Sequence, residues 1–156
     1  MKITKISENG INLIKKFEGF SSKPYLCPAK ICTIGYGATF YANGKKVSMS
    51  DPEISEKAAS DLLKEMLKRF EQYVDSYCTD SITQNQFDAL VSFCYNLGPA
   101  NLKASTLLKK VNADPSDATI AAEFQKWTKA GGRKLAGLVK RRTAESDLYF
   151  KKIEKT

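Results

Sequence analysis

The stretch SEKAASDLLKEMLKRFEQYVDSY, residues 55–77, decides the fold. Ala58, Leu62, Met66, Phe70, Val74 and Tyr77 recur at three- and four-residue spacing, so they share one face of a helix. A helix of more than twenty residues is long for a chain of 156 and predicts a spine joining two lobes. Ser50-Asp51-Pro52, just ahead of it, has the order of a cap followed by proline in the first turn.

On the N-terminal side, residues 7–19 predict a short helix. Ser7 can cap it, Ile11, Ile14 and Phe17 share a face, and Gly19 can end it. From Lys23 to Thr39 the pattern changes: Pro24, Pro28, Gly35 and Gly37 punctuate stretches rich in Tyr, Ile and Thr. That predicts a small antiparallel sheet or hairpin, with a turn following at Asn43-Gly44. The C-terminal half reads as helical throughout. Thr83 and Gln86 have capping-box spacing, and Phe87, Leu90, Val91 and Cys94 form a buried stripe ending at Gly98-Pro99. Further helices fit 104–112, 116–128 (after Asp114-Pro115) and, past a break at Gly131-Gly132, 136–150. The expectation is an α+β fold, mostly α, in a single domain over 1–156. Its parts are an N-lobe over about 1–54, a linking helix over about 55–77 and a C-lobe over about 78–156, with a ligand cleft between the lobes.

Composition narrows the chemistry. The chain contains no histidine, which excludes Ser-His-Asp hydrolases, Cys-His proteases and His-ligated zinc hydrolases. Twenty-five Lys and Arg against 17 Asp and Glu give a formal charge of +8, favouring a polyanionic partner: nucleic acid, anionic membrane or an acidic wall polymer. No apolar run exceeds three residues, so neither a signal peptide nor a transmembrane helix is expected, and the chain should accumulate in the cytoplasm where it is made. Cys27, Cys32, Cys78 and Cys94 form no CxxC pair and should be thiols in a reducing compartment.

Carboxylates must then do the acid work. Glu18 closes the first helix, at the negative end of its macrodipole, which disfavours an ionised carboxylate; partial burial beside Phe17 and Phe20 would act the same way. A carboxylic acid that keeps its proton can protonate a leaving oxygen, although a solvated glutamate at a helix end is the plainer alternative. Cys27 and Thr33 follow on the sheet segment. A thiolate can act as base or nucleophile and a threonine hydroxyl can orient water, but a small buried hydrophobe and an ordinary strand residue explain the two equally well.

The spacing of Glu18, Cys27 and Thr33, ending in Thr33-Ile34-Gly35-Tyr36-Gly37, resembles the catalytic segment of the phage-type lysozymes, the endolysins of glycoside hydrolase family 24. The resemblance continues through Gln84-Asn85-Gln86-Phe87-Asp88-Ala89-Leu90-Val91-Ser92-Phe93 and Tyr95-Asn96-Leu97-Gly98. It resumes at Trp127, Gly137-Leu138 and Arg141-Arg142-Thr143-Ala144-Glu145, so it covers nearly the whole chain in order. It implies a lysozyme-like two-lobed fold and hydrolysis of the β-1,4 bond between N-acetylmuramic acid and N-acetylglucosamine in peptidoglycan, causing host lysis. Glu18 would be the general acid and Thr33 would hold the attacking water. Cys27 stands where most members carry aspartate, in a pattern that also admits cysteine. An unperturbed thiol, with pKa near ~8.5, is only a few per cent thiolate at pH 7. Either the site lowers that value, or the thiol polarises water, or the thiolate attacks the sugar; similarity to the family favours water attack.

By the same resemblance Thr39, Tyr95, Asn96 and Ser105 would line the saccharide site, with core packing the alternative for Tyr95, and Arg141 or Arg142 would approach Glu18. Trp127 reads as core, and Cys78 and Cys94 as helix packing. Oxidation of Cys27, with Cys32 nearby, would remove the thiolate. No cofactor and no metal are needed. Access to the wall would depend on a partner holin, the protein staying in the host cytoplasm until lysis, and a monomer is expected. Residues 133–156 hold eight Lys and Arg against three acids, interleaved with Leu135, Leu138, Leu148, Tyr149 and Phe150. This basic segment could associate weakly with an anionic envelope; a solvated helix face is the alternative. A nucleic-acid-binding module and a catalytically dead wall-binding protein are the competing functions. The chain lacks the aromatic interleaving or recognisable motif that the first requires, so no nucleic-acid partner is expected.

Overall fold

Helix α1 (Glu8–Glu18) begins where the Ser7 carbonyl accepts the Ile11 N–H at 3.0 Å. It ends at Gly19, whose φ of +72° is the left-handed conformation glycine adopts most readily and whose N–H donates to Lys15 at 2.9 Å. The computed structural model describes residues 3–79, 81–130 and 132–151. Within it Ile14–Arg69 forms one compact unit, and residues up to Leu13 together with those from Phe70 onward form the other.

In the first unit, strands β1 (Ser21–Leu26) and β2 (Cys32–Gly35) pair antiparallel, Tyr25 opposite Thr33 and Leu26 opposite Cys32. The ladder is irregular between Ser21 and Tyr25, where Pro24 has no N–H to offer. The connection is tight: Lys30 donates to the Cys27 carbonyl at 2.7 Å, Cys27 to the Ile31 carbonyl at 3.1 Å, and Lys30 takes φ +62°. Alternation along β2 turns Cys32 and Ile34 into a cluster with Ala38, Val47 and Leu62, and Thr33 to the opposite face. Gly35 (φ +66°) lies so close to the next helix that a Cβ there would stand 3.1 Å from that of Ala59. The Asn43-Gly44 turn forms as expected, with Tyr41 donating to Lys45 at 2.9 Å.

Helix α2 (Glu56–Tyr77) matches the decisive stretch, and its residues fall partly in each unit. Its start corrects one expectation. The cap is Ser55, whose hydroxyl accepts the Ala58 N–H at 3.0 Å. Ser50-Asp51-Pro52 precedes the helix without capping it, because the Asp51 carboxylate accepts instead from the Ser48 N–H and the Tyr41 hydroxyl, both at 2.8 Å.

The other unit is built around α3 (Gln84–Leu97), buried at nearly every position from Asn85 to Cys94. The Thr83–Gln86 capping box is present. Helix α4 (Pro99–Ala104), which periodicity did not indicate, follows Gly98; α5 (Thr106–Ala113) and a short α6 (Ile120–Gln125) replace the 104–112 and 116–128 helices. The start of 116–128 is instead taken by turns, in which the Asp114 and Asp117 side chains accept the Ser116 and Thr119 N–H groups. A two-residue hairpin, β3 (Lys129–Ala130) with β4 (Arg133–Lys134), occupies the expected break, of which Gly131 lies outside the described residues. Helix α7 (Ala136–Phe150) matches its expected span. The first residues of the chain belong with this unit and not with an N-lobe. Ser7 donates its N–H (2.9 Å) and its hydroxyl to Asp88, Ile6 donates to Glu71 at 2.7 Å, and Gln84 reaches the Lys5 carbonyl at 2.8 Å.

Arg141 and Arg142, both buried, share the wholly buried Glu145 at 3.3 and 2.9 Å, and Arg142 also lies over the Phe93 ring. Two of the cations assigned by sequence to a basic surface segment are therefore interior, while Leu135 and Phe150 are exposed; residues 152–156 lie outside the described residues. No helix among the described residues is long and apolar enough to cross a membrane. Removing the shared counterion leaves two buried guanidiniums facing each other, so Glu145→Gln is expected to destabilise the fold by about 3–5 kcal/mol in urea titrations. A loss below about 1 kcal/mol contradicts this role for the carboxylate.

Candidate active site

Glu18, Cys27 and Thr33 all fall within the Ile14–Arg69 unit. Glu18 is the last residue of α1 and is half-buried, released by the turn at Gly19. The aromatic shield expected around it is partial: Phe20 stays 43% exposed and tilts onto the Tyr36 ring at 5.7 Å, and Tyr36 in turn donates to Glu56 at 2.7 Å.

Cys27 occupies the first corner of the hairpin turn. Its thiol is held below the usual range, chiefly by hydrogen bonding from the backbone at Ile31, with further help from Ala29, the Thr33 hydroxyl and its own backbone. The folded chain thus favours the thiolate more than the unfolded chain does. That preference stabilises the fold above the ordinary thiol pKa and is lost as pH falls through the lowered folded value. Thr33 is buried, and its hydroxyl donates to the Ile31 carbonyl at 2.9 Å. A hydroxyl has one proton, so while that bond stands Thr33 offers only lone pairs to a water, and rotating toward the thiolate gives it up.

Tyr25 was not singled out by sequence. It pairs with Thr33 across the ladder, and its phenol is raised by burial first, then by the charges of Glu18 and Cys27. Its place two residues before Cys27 in a strand was the available signal. Cys32 faces the core cluster, on the side of the hairpin away from Thr33, so the register sets it apart from Cys27 as a disulfide partner. All four cysteines are free thiols, and Cys78 and Cys94 are buried, burial pushing the Cys94 thiol up to about 12.

The remaining expected residues belong to both units. Thr39 is half-buried in the same unit, its carbonyl accepting from Val47. Tyr95, in the helical unit, is half-buried with its ring edge-on to Phe70 at 5.2 Å. Asn96 accepts from Arg142 at 2.6 Å. Ser105 is buried; its hydroxyl donates to Leu102 at 2.7 Å and accepts the Leu108 N–H at 3.0 Å, which makes it the cap of α5 with no proton left for a sugar. Trp127 packs edge-on to Phe93 at 5.6 Å, as its core reading requires. Among the described residues no cluster of three metal-ligating side chains occurs.

A half-buried carboxyl at a helix end, a thiol biased to thiolate and an adjacent hydroxyl are the components of acid/base chemistry on a neutral bond. A family model described as phage lysozyme matches residues 15–145. The chain is 46% identical over 147 residues to an endolysin of Bacillus phage B103, a match taking in 93% of this chain and 54% of that one. It thus spans about half the length of the curated relatives it matches at this level. Among solved structures, an endolysin from Escherichia coli O157:H7 phage FAHEc1 superposes with a TM-score of 0.86 at 34% identity, covering 97% of both chains. The muramidase domain of SpmX from Asticaccaulis excentricus gives 0.83 at 33% identity, covering 96% of this chain and 100% of that one.

Alkylation of Cys27 by iodoacetamide, followed by peptide mass spectrometry, is expected to reach half its plateau rate below the free-thiol pKa of about 8.5. In Thr33→Val that midpoint should move upward. Coincident midpoints in the two proteins contradict a part for the hydroxyl in holding the thiolate.

Proposed function

The chain belongs to the phage lysozyme family, and on that premise we propose that it is an endolysin hydrolysing the β-1,4 bond between N-acetylmuramic acid and N-acetylglucosamine of bacterial peptidoglycan, thereby lysing the host. The observation that carries this reading is that one compact unit holds Glu18 at the end of α1 and both Cys27 and Thr33 on one hairpin, with the Cys27 thiol lowered by the hydrogen bonds of its turn. A lowered thiol sits nearer to the role that the family resemblance gives an acidic group at this position.

Glu18 gives its proton to the glycosidic oxygen as the bond from the anomeric carbon breaks. A water on the opposite face, held by the Thr33 oxygen, forms the new carbon–oxygen bond and passes its proton to the Cys27 thiolate. Exchange with solvent then returns the proton to Glu18. Direct attack by the thiolate, forming a glycosyl–cysteine that water later cleaves, is a second reading, favoured by the same lowered thiol pKa.

Thr39, Tyr95 and Asn96 are proposed as saccharide contacts on the strength of the family resemblance, whereas Ser105 is committed to its helix cap. The protein is proposed to act as a monomer without cofactor, waiting in the host cytoplasm until a holin lesion admits it to the wall. Weak envelope association of the basic C-terminal segment would rest on its exposed cations, not on Arg141 and Arg142.

In turbidity assays on outer-membrane-permeabilised Gram-negative cells, Glu18→Gln is expected to lose at least about a hundredfold in lytic rate while keeping the wild-type melting temperature. Wild-type lysis by that variant contradicts the acid role. Cys27→Asp should retain activity if the group works through water. A folded but inactive Cys27→Asp beside an active Cys27→Ala removes position 27 from the chemistry.

A further inference from the structure

The turn that begins at Cys27 is closed by two backbone bonds, Cys27 donating to the Ile31 carbonyl at 3.1 Å and Lys30 to the Cys27 carbonyl at 2.7 Å. Pro28, Ala29 and Lys30 are thus a three-residue connection, and its third position takes a left-handed backbone, φ +62° at Lys30. Glycine is the residue this place favours, because a Cβ crowds the backbone there. Every other residue with positive φ among the described residues is a glycine. A lysine is therefore kept at a conformational cost where the turn itself has no use for its side chain, and an observed strain of this kind points to function. No contact among the described residues offsets it. Lys30 is exposed and its ammonium makes no ion pair with a described residue, whereas Lys23, on β1, is held by Glu53 at 3.3 Å.

We propose that Lys30 binds a carboxylate of the stem peptide borne by N-acetylmuramic acid, and so selects the acidic wall polymer over a neutral glycan. This rests on the glycoside-hydrolase reading of Cys27 and Thr33, between which Lys30 stands in the chain. Its backbone is bonded to that of Cys27, so the cation is anchored in the same turn as the group assigned to the reaction. A centre that uses a carboxyl and a thiolate repels an anionic substrate. A flexible, solvated ammonium beside it offsets that repulsion without entering the chemistry.

The test compares wild type, Lys30→Gly, Lys30→Gln and Glu18→Gln on purified Gram-negative peptidoglycan, intact and after its carboxylates have been converted to methylamides. On the intact polymer both Lys30 variants are expected to raise KM about threefold to tenfold with kcat little changed. On the methylamidated polymer their KM should equal that of wild type. Lys30→Gly should also melt higher than wild type, since glycine adopts the left-handed backbone freely, and this separates lost affinity from lost folding. A lower melting temperature for Lys30→Gly removes the strain on which the proposal stands and overturns it. A wild-type KM for Lys30→Gln on the intact polymer overturns it, and so does an equal rise in KM on both polymers. A fall in kcat together with an upward move of the Cys27 alkylation midpoint overturns it as well, assigning Lys30 to the thiol. An active Glu18→Gln overturns the parent reading whatever the Lys30 variants do; an inactive Glu18→Gln beside a wild-type-like Lys30→Gln overturns only the role of Lys30.

Discussion

The pairing of Tyr25 with Thr33 fixes what each side of the hairpin faces. A slip of one residue would exchange the two faces, sending Thr33 into the cluster of Ile34, Ala38, Val47 and Leu62 and bringing Cys32 out beside Cys27. The register is held from both ends. The tight turn from Cys27 to Ile31 closes one end, and at the other Gly35 lets the backbone approach Ala59. The same turn supplies the hydrogen bonds that lower the Cys27 thiol, so the geometry of the loop and the acidity of its first residue have a common cause.

The helical unit solves a different problem. Its central helix is buried almost all round, so its polar side chains need internal partners. Asp88 takes three donors, from Ser7 and Gln84, which draws the first residues of the chain into this unit. Ser92 donates to Glu145 at 2.5 Å, and Glu145 answers Arg141 and Arg142. These groups are chemically conspicuous in sequence and look like site residues. Their burial and mutual pairing give them a structural account of their own.

Signals that are local in sequence were legible. The Thr83–Gln86 box and the long helix over 55–77 depend on neighbours within a turn or two, and both formed, although the buried face of α2 takes in Ala59, Leu63 and Leu67 and leaves Ala58 exposed. The misread cap came from a polar side chain with more than one use: Asp51 turned back to Ser48 and Tyr41 instead of preparing a helix. The place of Tyr25 opposite Thr33 was not legible, because it depends on cross-strand register, which residue spacing does not encode. Glu18, Cys27 and Thr33 were singled out through the family pattern; spacing alone left each with an ordinary explanation.

The central claim is that a water, not the sulfur of Cys27, attacks the anomeric carbon after Glu18 protonates the leaving oxygen. Proton NMR of the first-formed reducing end, recorded before mutarotation, reads this directly. Water attack on the β-linked sugar predicts the α-anomer. A first-formed β-anomer contradicts the account, since it requires two displacements and places the sulfur on the sugar.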